Sequence, residues 1–247
     1  MTTSRWNWLS WLALVVALAA VATLAIAGPG YRMGWFGLGT ALRPMLTWAA
    51  YGGIAAGVLA LLALLLNGRR GTTGGRLAAL VALVIGAGSL YVPWQWAQVA
   101  RAVPPIHDIT TDTVTPPSYV EVAALRRELN VPNSLDYLPE VAAQQLTAYP
   151  DVQPAFLAMP PVEAYGKALS MVRARGWDVV AADEAGRRIE ATDTTRWFGF
   201  KDDIAIRVSA VPDGTSRVDV RSVSRVGRSD VGTNARRIRA FLTDLAK

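Results

Sequence analysis

The stretch from Arg221 to Leu242, RSVSRVGRSDVGTNARRIRAFL, holds six arginines and one acid. Guanidinium groups at that density can grip a phosphate or carboxylate through paired, charge-assisted hydrogen bonds. Arg225, Arg228 and Arg236 fall where a strand runs out and a helix begins, so with Asp230 they form a candidate anion site at a helix N-terminus, suited to a lipid headgroup. There is an internal alternative. Arg236, Arg237 and Arg239 lie in the first two turns of that helix, where the macrodipole disfavours cations, so something negative must compensate. Asp230 could do so together with Asp202 or Asp203 of the segment RWFGFKDD, while Asp230, Thr233 or Asn234 caps the first free amides. Arg217 and Arg221 alternate along the preceding strand and are expected in a solvated ladder with Glu190 and Asp178.

His107 is the single histidine. With Asp108 and Asp112 beside it, a general acid, a general base or a metal ligand can be drawn. No second histidine, Gly-x-Ser-x-Gly, His-Glu-x-x-His or phosphate-binding glycine loop accompanies it, so no metal or cofactor is expected. The competing reading has these side chains fix a linker against a folded domain. Trp197, Phe198 and Phe200, around Gly199, likewise admit two roles. Three rings can fold back as core, or line an apolar groove and dip into a bilayer surface.

The elements that must position these residues follow from a split in composition. All 19 acids lie at or after Asp108, whereas six arginines (5, 32, 43, 69, 70, 76) precede Arg101 and account for the whole net charge of +6. From Arg101 onward 19 basic residues face 19 acids, so the high pI is no argument for nucleic acid, and none is expected as a partner. Three charge-free stretches, about 8–27, 45–66 and 77–99, are long enough to cross the roughly 30 Å of a hydrocarbon core. Trp6, Trp8 and Trp11, then Tyr31 and Trp35, then Tyr91, Trp94 and Trp96 sit near their ends, where amphipathic rings favour the headgroup zone. Gly53 and Gly57, one turn apart, would let another helix approach closely, within the three-helix unit in preference to a dimer. Arg5, Arg69, Arg70 and Arg76 on one side outnumber Arg32, Arg43 and Arg101 on the other, which places the C-terminal portion outside the cytoplasm. Ala25-Ile-Ala27 also fits a cleavage pattern, but the apolar run is long for a signal peptide and favours a retained helix. Absence of cysteine removes disulfides and thiol chemistry.

Beyond the membrane region at 1–100, Pro104-Pro105 and Pro116-Pro117 bracket an extended linker at 101–119. An α+β domain is expected over 120–247. Short helices are predicted at 120–129 and 138–148. Phe156, Leu157 and Met159, in a proline-punctuated run, must find cover on a sheet. A helix opening at Pro161 carries Val162, Tyr165, Ala168, Leu169 and Val172 at helical spacing until Gly176. The period then changes to two: Trp177/Val179/Ala181, Ile189/Ala191, Ile204/Ile206/Val208 and Val218/Val220 predict a four-stranded antiparallel sheet with one apolar face. Turns fall at 184–187 and 212–215. The last helix, about 233–245, buries Ile238, Phe241, Leu242 and Leu245.

The blocks PPIHDITTD, AYPDVQP, RIEATDTTRWFGFKDDIAIRV and VDVRSVSRVGRSDVGTNARRIRAFL resemble, in order, those of the bacterial family DUF1499 over about 104–245. The resemblance implies an envelope-associated domain with hydrophobic N-terminal helices, and it implies no activity, cofactor or catalytic residue. Two functions are therefore carried forward. One is a non-enzymatic membrane protein whose domain binds an apolar or anionic ligand, membrane lipid among them, or an envelope protein partner. The other is a membrane-proximal hydrolase or transferase using His107, Asp108 or the arginine cluster. Convergence of His107, Asp112 and Arg228 in one pocket would favour chemistry.

Overall fold

A computed structural model describes residues 6–68 and 71–247. The chain divides into two compact units, Met1–Val99 and Ala100–Lys247. Arg5, Arg69 and Arg70, which weigh in the orientation argument, lie outside the described residues.

Three helices in the first part of the chain are long and apolar enough to cross a membrane: α1 (Asn7–Arg32), α2 (Leu46–Asn67, preceded by a π-helical turn at Ala41–Met45) and α3 (Thr73–Ala102). A helix satisfies its own backbone, which is what allows an apolar run to persist without water. Small residues form the shared interior: Ala13 and Ala17 of α1, Ala56, Ala60 and Ala63 of α2, Ala79 and Ala82 of α3. Leu, Val and Ile side chains such as Val15, Leu61, Leu65 and Val84 point outward. This is the inverse of a soluble bundle and matches helices that pack on small residues within lipid. A methyl group added at Gly53 would lie 2.5 Å from the Gly86 carbonyl oxygen, and one at Gly86 would lie 2.7 Å from that of Gly53. The close approach expected of Gly53 is thus made inside the unit, by α2 and α3. Gly57 has open space around it.

The second unit is an α+β domain, and its sheet is larger than the four strands predicted. Strands β1 (Asp108–Thr110), β2 (Ala155–Leu157), β3 (Asp178–Asp183), β4 (Arg188–Thr194), β5 (Lys201–Ala210) and β6 (Ser216–Ser224) are antiparallel in the order β1-β6-β5-β4-β3. β2 also pairs with β6, at the end opposite β1. The two extra strands have three residues each, too short for an alternation to register, and prolines flank both. Part of the presumed linker is therefore an edge strand.

One face of the sheet packs on two helices. Ile189, Ala191, Ile204, Ile206, Val208, Val218 and Val220 meet Ala164, Tyr165, Ala168 and Val172 of the helix Pro161–Ala174, and Ala235, Ile238, Phe241 and Leu245 of Thr233–Leu245. Trp177 stacks on Phe241 with ring centroids 5.6 Å apart. Each large side chain buried here contributes about 1.5–3 kcal/mol. Three expected core residues are outside it: Val162 is exposed, Phe156, opposite Arg217 on an edge strand, is 65% exposed, and Val179 is exposed beside a register shift that interrupts the alternation of β3. Leu157 and Met159 do reach the core.

The second face is not a solvated ladder. Tyr119, the helix Glu121–Glu128 and Leu135 lie over it, closing a small apolar cluster with Val122, Ala205 and Val223. Glu190, Asp203, Asp219 and Arg221 are consequently buried. A two-residue period says which side a residue faces and not what covers that side. The covering helix has no cap of its own. Glu190, from β4, supplies one: its carboxylate accepts from the amides of Val120 at 2.9 Å and Val122 at 2.7 Å.

Candidate functional site

The arginines of the opening motif are mostly held by acids within the domain. Asp202 and Asp203 are adjacent on β5, so their side chains leave opposite faces of the sheet. Asp203 is fully buried and receives Arg225 through two nitrogens, Nε to Oδ2 at 2.9 Å and Nη2 to Oδ1 at 2.8 Å. Arg126 donates to the same carboxylate at 2.8 Å and Thr192 at 2.7 Å. Asp202, on the helical face, accepts from Arg237 at 2.6 Å, and Arg237 also bonds Asp193. Arg239 bonds Asp151 through both nitrogens. Asp230 caps the last helix, its carboxylate accepting from the Gly232 and Asn234 amides at 2.8 Å each. Burial pushes the Asp230 carboxyl up despite the pull of those amides. Arg237 and Arg239 near this N-terminus are thus compensated by Asp193, Asp202 and Asp151, with Asp230 on the amides themselves.

Of the candidate anion ligands, Arg225 is buried and bidentate on Asp203, whereas Arg228 and Arg236 are exposed. Arg236 reaches only local groups, the Val231 carbonyl at 3.1 Å and Thr233 Oγ1 at 3.0 Å. The structure does not bring the three guanidiniums onto one anion.

The His107 segment is stitched to β6. Nδ1 of His107 lies 3.3 Å from the Arg228 carbonyl oxygen, which accepts when that nitrogen carries the proton. Asp108 is buried and holds Arg221 in a two-pronged pair, Nε to Oδ1 at 3.0 Å and Nη2 to Oδ2 at 2.6 Å. The Arg221 guanidinium sits 5.2 Å from the Tyr119 ring centroid and 5.6 Å from that of Tyr137, a cation–π sandwich. Burial raises both phenols far above their ordinary range, which keeps them neutral. Asp112 belongs to a separate cluster. It accepts from Arg207 at 2.9 Å and Arg217 at 3.0 Å, and both arginines also bond Asp219. Burial pushes the Asp112 carboxyl up, but Thr115 through amide and hydroxyl, the Val114 amide and Arg207 outweigh it and hold the group below its ordinary range. His107 and Asp112 therefore do not share a pocket. Among the described residues no group of three His, Asp or Glu stands close enough to hold a metal ion.

Asp193 and Asp151 escaped the sequence reading, and so did Gln145 and Arg126. Gln145 is buried beside β1 and copies a neighbouring strand: the Thr110 amide donates to its Oε1 at 2.9 Å and its Nε2 donates to the Thr110 carbonyl at 2.6 Å. Arg126 pairs with Asp203 across 77 positions. A buried glutamine inside a short helix and an arginine on a covering face carry no local pattern that marks them.

Trp197 is 47% exposed, while Phe198 and Phe200 are half-buried and stacked on each other at 5.0 Å. Two rings of the hairpin thus pack on each other and the third stands at the surface. A shallow open depression lined by Pro104, Ala143, Gln144, Thr147 and Ala148 contains no ionisable group.

Three helices long and apolar enough to cross a membrane are followed by an α+β domain in which Asp108, Asp112, Asp202 and Asp203 are each paired with arginines. The family described as "Protein of unknown function (DUF1499)" matches over residues 108–245, more than half of the chain, and the chain belongs to that family. No curated protein matches it.

Proposed function

We propose that the protein is an inner-membrane binding protein of the bacterial envelope. Its helices anchor an extracytoplasmic domain that takes an amphipathic, anionic ligand, a lipid in the first instance. One observation carries this reading. Of the groups that could do chemistry, Asp108 is engaged by Arg221, Asp112 by Arg207 and Arg217, and Arg225 by Asp203, while half-buried His107 faces the Arg228 carbonyl. The features left at the surface are Trp197, Arg228 and Arg236. An exposed ring and exposed guanidiniums without an acid partner among the described residues suit an apolar body with an acidic head better than bond cleavage, which needs convergent groups around a reacting atom.

Native mass spectrometry of the full-length protein released from mild detergent tests the reading. Wild type is expected to retain phospholipid adducts that the double variant Arg228→Ala/Arg236→Ala loses. Bare protein in both samples, or adducts equally retained, would overturn it.

A further inference from the structure

Within the α+β domain, one end of the sheet collects several exposed groups that are distant in sequence. Strand registers place them: Thr194 pairs with Lys201 and Asp202 with Ser224, so the 195–200 hairpin tip and the loop after β6 are neighbours. The Arg225 amide donates to the Lys201 carbonyl at 2.9 Å, and the Ser224 amide to that of His107 at 3.0 Å. Asn133, just past the covering helix, donates to the carbonyls of Ser224 and Gly227. The Asp230 amide donates to the Ile106 carbonyl at 3.1 Å, which brings in the residues where the chain enters the domain. Exposed at this end are Trp197, Leu129, Arg127, Arg196, Lys201 and Arg228, against the acids Glu128, Asp136 and Asp178. Phe156 and the 212–215 turn are at the other end.

We propose that this end of the domain lies on an anionic lipid surface, with Trp197 at headgroup depth and Lys201 and Arg228 over phosphates. The inference rests on the lipid-binding reading above and names the partner and the surface. Three observations select a bilayer as the occupant. The exposed cations outnumber the acids, which complements an anionic leaflet. An exposed indole beside cations is the side-chain pairing that favours the membrane–water interface. The chain also enters the domain here: residues 103–107 follow the apolar helix Thr73–Ala102 directly, so a bilayer holding that helix is always within a few residues' reach.

The chain has no cysteine, so single introduced thiols can be labelled cleanly. Full-length Trp197→Cys and, as a control, Phe156→Cys would carry a nitroxide in vesicles of phosphatidylcholine with and without phosphatidylglycerol. With phosphatidylglycerol, the label at 197 is expected to be relaxed by oxygen and shielded from a water-soluble nickel complex, while the label at 156 stays open to nickel. Adding Lys201→Gln and Arg228→Gln should lower the ratio of docked to undocked domain about fivefold per charge. Equal nickel access at 197 and 156 would overturn the docking, and would do so even if lipid adducts persisted in the mass spectra. Shielding at 197 from both oxygen and nickel would put protein there, a second copy of this chain, and would also overturn it. A lipid-immersed label without copurifying lipid would uphold the docking and remove only the ligand reading.

Discussion

Asp203 shows how much one carboxylate can organise. It accepts from Arg225, Arg126 and Thr192 at full burial, so its removal strands two guanidiniums in a site with little water. Deleting one partner of a buried pair costs about 3–5 kcal/mol, more than the intact pair contributes, because the remaining charge keeps its desolvation penalty. Asp203→Asn should therefore lower the stability of the α+β domain by that amount, read as a shift in denaturant midpoint followed by near-ultraviolet circular dichroism. A shift within about 0.5 kcal/mol, the range of ordinary surface substitutions, would show that the network is dispensable. The acids of the RWFGFKDD segment were legible as partners of the arginines, since adjacent Asp202 and Asp203 must face opposite ways. Which arginine each would meet was not, because Arg126 and Asp193 arrive from other elements.

Among the elements, the helix Glu121–Glu128 depends most on its surroundings. It is a bare two turns, short enough to be marginal alone, and its first amides are capped by Glu190 from a strand. Glu190→Ala should cost about 1.5–3 kcal/mol for the charged hydrogen bonds and fray this helix first. Hydrogen exchange would show faster labelling at 120–128, with the helix Thr233–Leu245 unchanged. Loss of protection spread evenly over the domain would contradict a local cap. The long elements were readable because their periods repeat: the last helix buries Ile238, Phe241 and Leu245 as its spacing predicts. β1 and β2 were not, since three residues give no period, and their strand character comes from β6 alongside them.

At the scale of the whole chain, the proposed placement rests on the charge partition. An acid-free front precedes a domain in which basic and acidic residues balance. Alkaline phosphatase fused after Lys247 should be active and a fluorescent protein fused there dark, as the proposed extracytoplasmic placement requires. The opposite pattern would reverse the topology. Composition and periodicity, both local properties of the chain, were sufficient for three apolar helices, an antiparallel sheet with an apolar face and the closing helix. The tertiary structure alone decided that the second face is covered, that Asp108, Asp112 and Arg225 are engaged internally, and that Trp197, Lys201 and Arg228 share one end. Those outcomes depend on contacts between residues tens of positions apart, where burial and pairing are properties of the folded whole and leave no mark on any single stretch.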